Sequence, residues 1–228
     1  MENLINKIFP SKCLFCGSIG ELFCENCMSN CEILKTQRCV SCDQLCIKGF
    51  THARCLKVGI PSQLTCVYEY KELVRECIRK SKYYSKQFMA LVDLVKEAVD
   101  ITFEWNLGFE GFTCVPIPLA PHKEIQRGFN QAELIARVLS RKFKIPMQNS
   151  ILTRIKDTKA QHEMNRRQRF ANMMGSFSTT PSLVKGKKVL LVDDISTTGA
   201  TFIESSKVLY EAGAKEVRCF ALSKKLKL

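Results

Sequence analysis

The stretch Val189–Thr201, VLLVDDISTTGAT, constrains the fold of this chain more than any other part of its sequence. It begins within an apolar run, Lys188–Val192, that is typical of a buried parallel strand, and the residues after it have helical periodicity. Two adjacent carboxylates, Asp193 and Asp194, stand at the end of that strand. Because ligands of open α/β sheets bind beyond the carboxyl ends of the strands, the sequence predicts a ligand site here.

The loop between this strand and the helix has the composition of an anion site. Backbone N–H groups at a helix N-terminus bind anions, and Gly199 allows a sharp turn and a close approach to a phosphate. The carboxylates would repel a phosphate but suit the hydroxyl groups of a sugar attached to it. A metal-binding acid pair and an ordinary acidic turn are the alternatives, and the motifs G-x-x-x-x-G-K-[ST] and G-x-G-x-x-G are both absent. Further hydroxyl donors are Ser196, Thr197, Thr198 and Thr201.

From residue 112 onward, predicted strands and helices alternate, which favours an α/β domain with a mainly parallel sheet. The predicted strands are Tyr68–Tyr70, Phe112–Pro118, Ser150–Leu152, Lys188–Val192 and Glu216–Leu222. Apolar periodicity predicts helices around residues 73–78 and 88–99, after Asn130, and over Thr201–Tyr210, with Gly213 as the stop of the last one. Four cysteines of these apolar elements are predicted to pack in the core: Cys66, Cys77, Cys114 and Cys219.

The segment Thr153–Ser176 is polar and strongly basic, and we predict a long mobile loop that is partly helical. It carries six cations against Asp157 and Glu163, and the whole chain has a formal net charge of +13. A loop of this length inside a compact domain is usually functional, and its charge suits a lid over an anionic ligand. A solvated basic loop and a contact with nucleic acid are the alternatives. The cations are Arg154, Lys156, Lys159, Arg166, Arg167 and Arg169.

Nine of the thirteen cysteines lie between Cys13 and Cys55, and seven of these nine belong to C-x-x-C or H-x-x-C pairs. This spacing suits a metal ion that takes two ligands from one tight turn, and it predicts two zinc sites. Composition changes near residue 58, so we predict a zinc-binding module over residues 1–58 and a second domain over residues 59–228. The pairs could also interleave, and Cys31 or Cys46 could replace a ligand. The predicted sets are Cys13, Cys16, Cys24 and Cys27, and Cys39, Cys42, His52 and Cys55.

The start of the chain and its hydropathy predict where the protein acts. Met1–Pro10 carries Glu2 and Lys7 and has no long apolar run, so we expect no signal peptide. No stretch reaches the roughly 18 apolar residues that a membrane helix needs. We therefore expect a cytoplasmic protein with reduced thiols and no membrane span.

The stretch VLLVDDISTTGAT resembles the signature of type I phosphoribosyltransferases, which binds 5-phosphoribosyl-1-pyrophosphate (PRPP). Two further segments narrow the resemblance to the ComF family, which includes ComFC and GntX-like proteins: Val115–Ala136, with its core RGFNQ, and Lys156–Phe177. His52 departs from the family, which usually has a cysteine there. The resemblance implies a type I phosphoribosyltransferase fold preceded by a small zinc-ribbon-like module. In the second segment the matching residues are Thr158, Gln161, Arg169, Asn172 and Phe177.

The resemblance also implies what each motif does. Asp193 and Asp194 would be the catalytic acids that hold the ribose hydroxyls, and Arg127 would lie near the pyrophosphate and its Mg²⁺. Lys156 and Arg169 would close over the ligand with the basic loop. Single-stranded DNA and a competence helicase are the partners that the family implies, and an enzyme, a PRPP sensor and a DNA-binding protein all stay open. The residues around the 5′-phosphate would be Ser196, Thr197, Thr198, Gly199, Ala200 and Thr201.

Overall fold

The computed structural model describes residues 11–82, 85–157 and 165–226. Several residues named above lie outside this range: Met1–Pro10, Thr158, Lys159, Gln161 and Glu163. The cysteine-rich segment holds helix α1 (Glu25–Ser29) and strands β1 (Gln37–Arg38) and β2 (Leu45–Cys46). The elements that follow are β3 (Gln63–Glu69), α2 (Glu72–Ser81), α3 (Ser85–Glu104), β4 (Phe112–Pro116), α4 (Pro121–Arg127), α5 (Gln131–Phe143), β5 (Thr153–Arg154), α6 (Arg166–Met173), β6 (Phe177–Ser178), α7 (Pro181–Val184), β7 (Lys188–Ser196), α8 (Ala200–Glu211) and β8 (Glu216–Lys224).

Four parallel strands form the central sheet, in the order β3–β8–β7–β4. Strand β7 pairs with β4 on one side and with β8 on the other, so the apolar run before the two aspartates is central, as predicted. The parallel sheet with helices on its faces confirms the predicted α/β class. All four carboxyl ends lie at one edge, where a ligand of such a sheet binds.

Alternate residues of β7 enter two separate cores on the two faces of the sheet. Leu190 and Val192 pack with helices α2, α3 and α5, whereas Val189 and Leu191 pack with α8. All four side chains are fully buried. Burial of one such side chain contributes roughly 1.5–3 kcal/mol, so this strand is firmly anchored and carries its two aspartates on a rigid support.

Two sequence predictions differ from the structure in this region. Ser150–Leu152 is not a strand: residues Asn149–Ile151 form a 3₁₀ turn, and β5 begins just after it. Ile151 and Leu152 are buried and anchor the start of the basic segment in the core. Strand pairing with β6 begins only at the next residue, Thr153. Strand β3 begins at Gln63, well before the predicted Tyr68, because both of its faces are buried and the period-two signal is lost.

The cysteine-rich segment covers the open edge of β3. The backbone N–H of Leu34 donates to the carbonyl of Val67 at 2.8 Å, and the N–H of Glu69 donates to the carbonyl of Glu32 at 2.8 Å. Covering an edge strand in this way protects it from pairing with other chains. The boundary near residue 58 stays a prediction.

The segment also contributes to both cores. Phe23 and Cys27 pack on the face of α2 and α3, while Val40 packs on the face of α8. The two cysteine clusters therefore contact opposite faces of the sheet. Of the helices in the described residues, none is long and apolar enough to cross a bilayer.

Candidate functional site

The two aspartates lie near the carboxyl end of β7, which extends beyond them to Ser196. The backbone N–H of Asp194 donates to Oδ1 of Asp193 at 2.9 Å, and Nζ of Lys82 lies 3.2 Å from Oδ2 of Asp194. Burial raises the pKa of Asp193 well above its ordinary value, and the neighbouring charge of Asp194 raises it further, while that backbone N–H and Lys82 lower it. The raised pKa of Asp193 reflects the cost of a buried negative charge beside a second carboxylate, a cost that hydroxyl donors of a sugar would reduce.

The loop after β7 turns at Gly199, which precedes the first residue of α8 and has φ = 79°. A Cβ atom at this position would lie 2.8 Å from the carbonyl oxygen of Val40, so both conformation and space require glycine. The first N–H groups of α8 point out of the helix without intrahelical acceptors, as an anion site needs. Ser196 is buried, and its Oγ has no hydrogen-bond partner among the described residues.

Two cations hold Thr197 within this loop. Nη1 of Arg169 donates to Oγ1 of Thr197 at 2.8 Å, and Nζ of Lys224 donates to the carbonyl oxygen of Thr197 at 3.2 Å. Lys224 is almost completely buried, and its Nζ also lies 2.9 Å from Oδ1 of Asp43. The basic segment thus contacts the loop between β7 and α8 through Arg169, one of the predicted ligand-binding residues. We call this loop, residues 197–199, the phosphate loop after its predicted ligand.

Four cations lie close to one another near the aspartates. Lys82 and Arg154 interact electrostatically with the acid pair. The pKa of Lys123 is lowered by burial and further by the positive charges of Arg154, Arg127 and Lys82. Burial also lowers the pKa of Arg154, while the charge of Asp193 opposes this. Cations this close together repel one another. A polyanionic ligand would stabilise them, because its negative charge reduces this repulsion.

Lys156, one of the predicted ligand-binding residues, and His122 lie away from this centre. Nζ of Lys156 is exposed and lies 3.5 Å from the carbonyl oxygen of Met174, so the structure does not bring it to the phosphate loop. His122 is exposed and its Nδ1 lies 2.9 Å from Oδ1 of Asp157. Neither side chain contacts the two aspartates or the loop in this arrangement.

The first cysteine set is gathered into one cluster. The sulfur atoms of Cys13, Cys16, Cys24 and Cys27 all lie within 4.8 Å of one another. Sγ of Cys16 is 3.5 Å from Sγ of Cys24, and Sγ of Cys13 is 3.8 Å from Sγ of Cys27. A tetrahedral zinc ion with Zn–S bonds of about 2.3 Å has S–S edges of about 3.8 Å, so these residues fit such an ion.

The second set is gathered in the same way, with Cys39, Cys42, His52 and Cys55 within 4.8 Å. Nδ1 of His52 is 3.3 Å from Sγ of Cys42, and its Nε2 is 2.9 Å from the carbonyl oxygen of Leu45. The carbonyl favours a proton on Nε2, which leaves Nδ1 free to bind a metal. Burial raises the pKa of Cys39, but the backbone N–H groups of Cys42, His52 and Ser41 lower it more, to about 7.

The two sets do not interleave, and the structure leaves Cys31 and Cys46 outside both clusters. Sγ of Cys31 donates to the carbonyl oxygen of Cys27 instead, and burial raises the pKa of Cys46 to about 11. Cys31 is therefore a buried thiol and Cys46 a partly buried one, each beside a cluster. The four cysteines predicted for the core are buried, as expected.

Sequence reasoning missed four residues of this region: Lys82, Lys123, Lys224 and Asp43. Three are lysines on separate elements without a motif, and no local pattern distinguishes them from solvated lysines. Lys224 alone has a signal, since it ends its strand shortly after the apolar run CFAL. A lysine in such a place is rarely fully buried unless it is paired.

Comparisons with known proteins agree with these motifs. A family model described as phosphoribosyl transferase domain matches residues 130–227. The chain is 37% identical over 112 residues to Competence protein F of Haemophilus influenzae, covering 48% of this chain and 49% of that protein. It is 28% identical over 204 residues to Competence protein ComFC of Streptococcus pneumoniae, covering 90% of this chain and 81% of that protein.

A third relative is the DNA utilization protein YhgH of Escherichia coli. It is 33% identical to this chain over 112 residues, and the alignment covers 49% of each protein. The alignment thus spans about half the length of the Haemophilus and Escherichia proteins. The chain is therefore a homologue of these competence and DNA-utilization proteins, and its C-terminal part contains a phosphoribosyl transferase domain.

Proposed function

We propose that this protein binds PRPP together with Mg²⁺ at the carboxyl edge of its sheet and transfers the phosphoribosyl group to a nucleobase-like acceptor. One observation carries the proposal: an aspartate pair on a central strand is followed directly by a glycine turn at a helix N-terminus. Carboxylates match the ribose hydroxyls, and the turn matches the 5′-phosphate.

Each group of residues has a role in this proposal. Asp193 and Asp194 bind the ribose hydroxyls, and residues 196–201 bind the 5′-phosphate through amides and hydroxyls. Lys82, Lys123, Arg127 and Arg154 supply positive charge for the pyrophosphate. In the transfer, the bond between ribose C1 and the pyrophosphate oxygen breaks, and that oxygen keeps the electron pair. A new bond forms from C1 to an acceptor nitrogen, which loses its proton.

The cations assist because negative charge grows on the leaving group while positive charge grows on the sugar. A bound Mg²⁺ would neutralise part of the pyrophosphate charge, and the carboxylates and ligand oxygens are the donor type that it prefers. We also propose that the two cysteine clusters hold structural zinc ions. We propose further that the protein acts in the cytoplasm, where cysteine thiols stay reduced and can bind zinc.

Calorimetric titration with PRPP and Mg²⁺ tests the binding step. We expect saturable binding to the wild type and its loss in the double variant Asp193→Asn with Asp194→Asn. Asp157→Asn is the matched control, since that carboxylate is exposed and lies against His122 rather than beside the two aspartates. Equal binding by the double variant and the wild type would overturn the proposed site.

A second function, binding of single-stranded DNA, is supported by the names of the relatives and by the net charge of +13. In this alternative PRPP is sensed rather than consumed, and a helicase docks on the protein. Release of pyrophosphate from labelled PRPP separates the two functions, because a sensor binds without turnover. Affinity for single strands should fall steeply with added salt, and a flat salt profile would count against the DNA function.

A further inference from the structure

A turn within the second cysteine cluster packs against the phosphate loop. The turn Cys39–Asp43, which we call the knuckle, lies directly behind Gly199. A Cβ atom on Gly199 would lie 2.8 Å from the carbonyl oxygen of Val40 and 3.0 Å from its Cγ2. Backbone contact this close means that the loop cannot move back without displacing the knuckle.

The knuckle also holds the loop through a buried ion pair. Oδ1 of Asp43 lies 2.9 Å from Nζ of Lys224, and the two side chains are only 12% and 4% exposed. The same Nζ donates to the carbonyl oxygen of Thr197. Asp43 therefore positions Lys224, and Lys224 in turn positions the phosphate loop.

A third contact joins the knuckle to the basic segment. The guanidinium of Arg166 donates to the carbonyl oxygen of Ser41. Arg166 begins helix α6, whose Arg169 donates to Thr197. Val40, Ser41 and Asp43 thus contact three different elements that converge on one loop.

The shape of the knuckle depends on its cluster. Cys39 and Cys42 supply two of the four potential ligands, and the N–H of Asp43 donates to the carbonyl oxygen of Cys39 at 2.9 Å. Asp43 has φ = 63°, a left-handed conformation that asparagine also tolerates. A metal ion on the two thiolates would lock this turn in the conformation that meets Gly199.

The first cluster offers a comparison within the same chain. Its residues Cys13 and Cys27 pack with the core on the face of α2 and α3, whereas Val40 belongs to the core on the face of α8. Two clusters of the same chemistry thus have different neighbours, and only the second cluster supplies the knuckle.

We propose that Asp43 and the knuckle are positioning elements of the phosphate site, so that metal at the second cluster, and not at the first, sets the affinity for the phosphorylated ligand. This inference rests on the proposed function, since PRPP is the ligand used to measure the affinity. It goes beyond that function by assigning a ligand-binding role to the metal module.

The first test leaves the metal ligands untouched. Asp43→Asn removes the charge next to Lys224 but keeps a residue that tolerates φ = 63°. We expect about two zinc ions per chain and a lower melting temperature than that of the wild type, because the buried charge of Lys224 loses its partner. Measured well below that temperature, binding of PRPP with Mg²⁺ should be roughly tenfold weaker, as expected for one lost charged contact. Glu32→Gln, which removes an exposed ion pair of the same module, should bind like the wild type.

The second test removes one metal ion at a time. Cys42→Ser and Cys16→Ser should each lower the zinc content by about one ion per chain. Amide hydrogen exchange over residues 196–202 should rise in Cys42→Ser and stay at the wild-type level in Cys16→Ser. PRPP affinity should fall only in Cys42→Ser.

The results separate this inference from the proposed function. Wild-type PRPP affinity in both Asp43→Asn and Cys42→Ser would overturn the inference and leave the site intact. If the wild type binds no PRPP, the proposed function fails, and the exchange comparison still decides whether the knuckle supports the loop. Equal exchange over residues 196–202 in the two cysteine variants would then contradict it.

Discussion

Asp193 shows at the scale of one residue how the fold changes the chemistry of a carboxyl group. Its side chain is on a buried strand, next to a second carboxylate, and Lys82 compensates only one of the two charges. An aspartate in solution would be ionised at neutral pH, whereas burial raises the pKa of this one. The folded protein is therefore less stable at neutral pH than it would be without this buried acid pair.

This cost predicts a pH dependence. Because the folded pKa of Asp193 is raised, the folded state binds its proton more tightly, and stability falls as pH rises above about 4, the ordinary value, through the folded value. We expect Asp193→Asn to melt roughly 2–4 °C higher than the wild type near about pH 8 and to lose that advantage as the pH approaches about 4.

Melting curves measured over this pH range check the prediction, with Asp157→Asn as a control whose carboxylate is exposed. A variant that is less stable than the wild type at high pH, or a difference that does not change with pH, would contradict the assignment of a raised pKa to Asp193.

At the scale of an element, the loop between β7 and α8 depends on contact with a distant part of the chain. Strand β7, helix α8 and the glycine turn between them were predicted from VLLVDDISTTGAT, because apolar periodicity and turn chemistry are local properties. Contact of Val40 with Gly199 was not predicted, because no local pattern encodes it. The same limit explains Ser150–Leu152, whose apolar residues serve as a core anchor and not as a strand.

Glycine is required at position 199 because of its positive φ and because of the close contact with Val40, and the two effects can be measured separately. Gly111 has φ = 76° with no atom within 4 Å of an added Cβ, whereas Gly199 has φ = 79° and a backbone oxygen at 2.8 Å. We expect Gly111→Ala to cost about 1 kcal/mol of unfolding free energy from conformation alone. Gly199→Ala should cost about 2–4 kcal/mol, since displacement of the knuckle adds to that cost.

Chemical denaturation of the two variants gives these free energies, and titration with PRPP shows whether the loop still binds. Gly111→Ala should retain wild-type affinity. Equal free-energy losses in the two variants would show that Val40 yields easily and that the contact is not rigid.

At the scale of the whole molecule, the cysteine-rich segment is built into the domain that follows it. It covers the edge of β3, and its residues Phe23 and Val40 belong to the two cores on opposite faces of the sheet. Stability of the segment and stability of the sheet should therefore be coupled, although composition alone suggests a separate module up to residue 58.

Removal of metal tests this coupling. We expect a chelator to shift the main calorimetric unfolding transition of the entire chain to lower temperature, because loss of the metal ions frees residues that complete both cores. Restored zinc should reverse the shift, and elemental analysis should find about two ions per chain before chelation. An unchanged main transition would instead support an independent module that ends near residue 58.

The sequence alone predicted a parallel sheet, the acid pair with its glycine turn, and two sets of potential metal ligands, because each is signalled by residues close together in the chain. His52 shows this clearly: the H-x-x-C spacing predicted its place beside Cys55, and the cluster contains both. Tertiary structure decided which distant side chains meet these motifs. Lys82, Lys224 and Asp43 reach the site only because the strands bring remote segments to one edge of the sheet. The sequence around each of these residues does not indicate which distant side chain it will contact after folding.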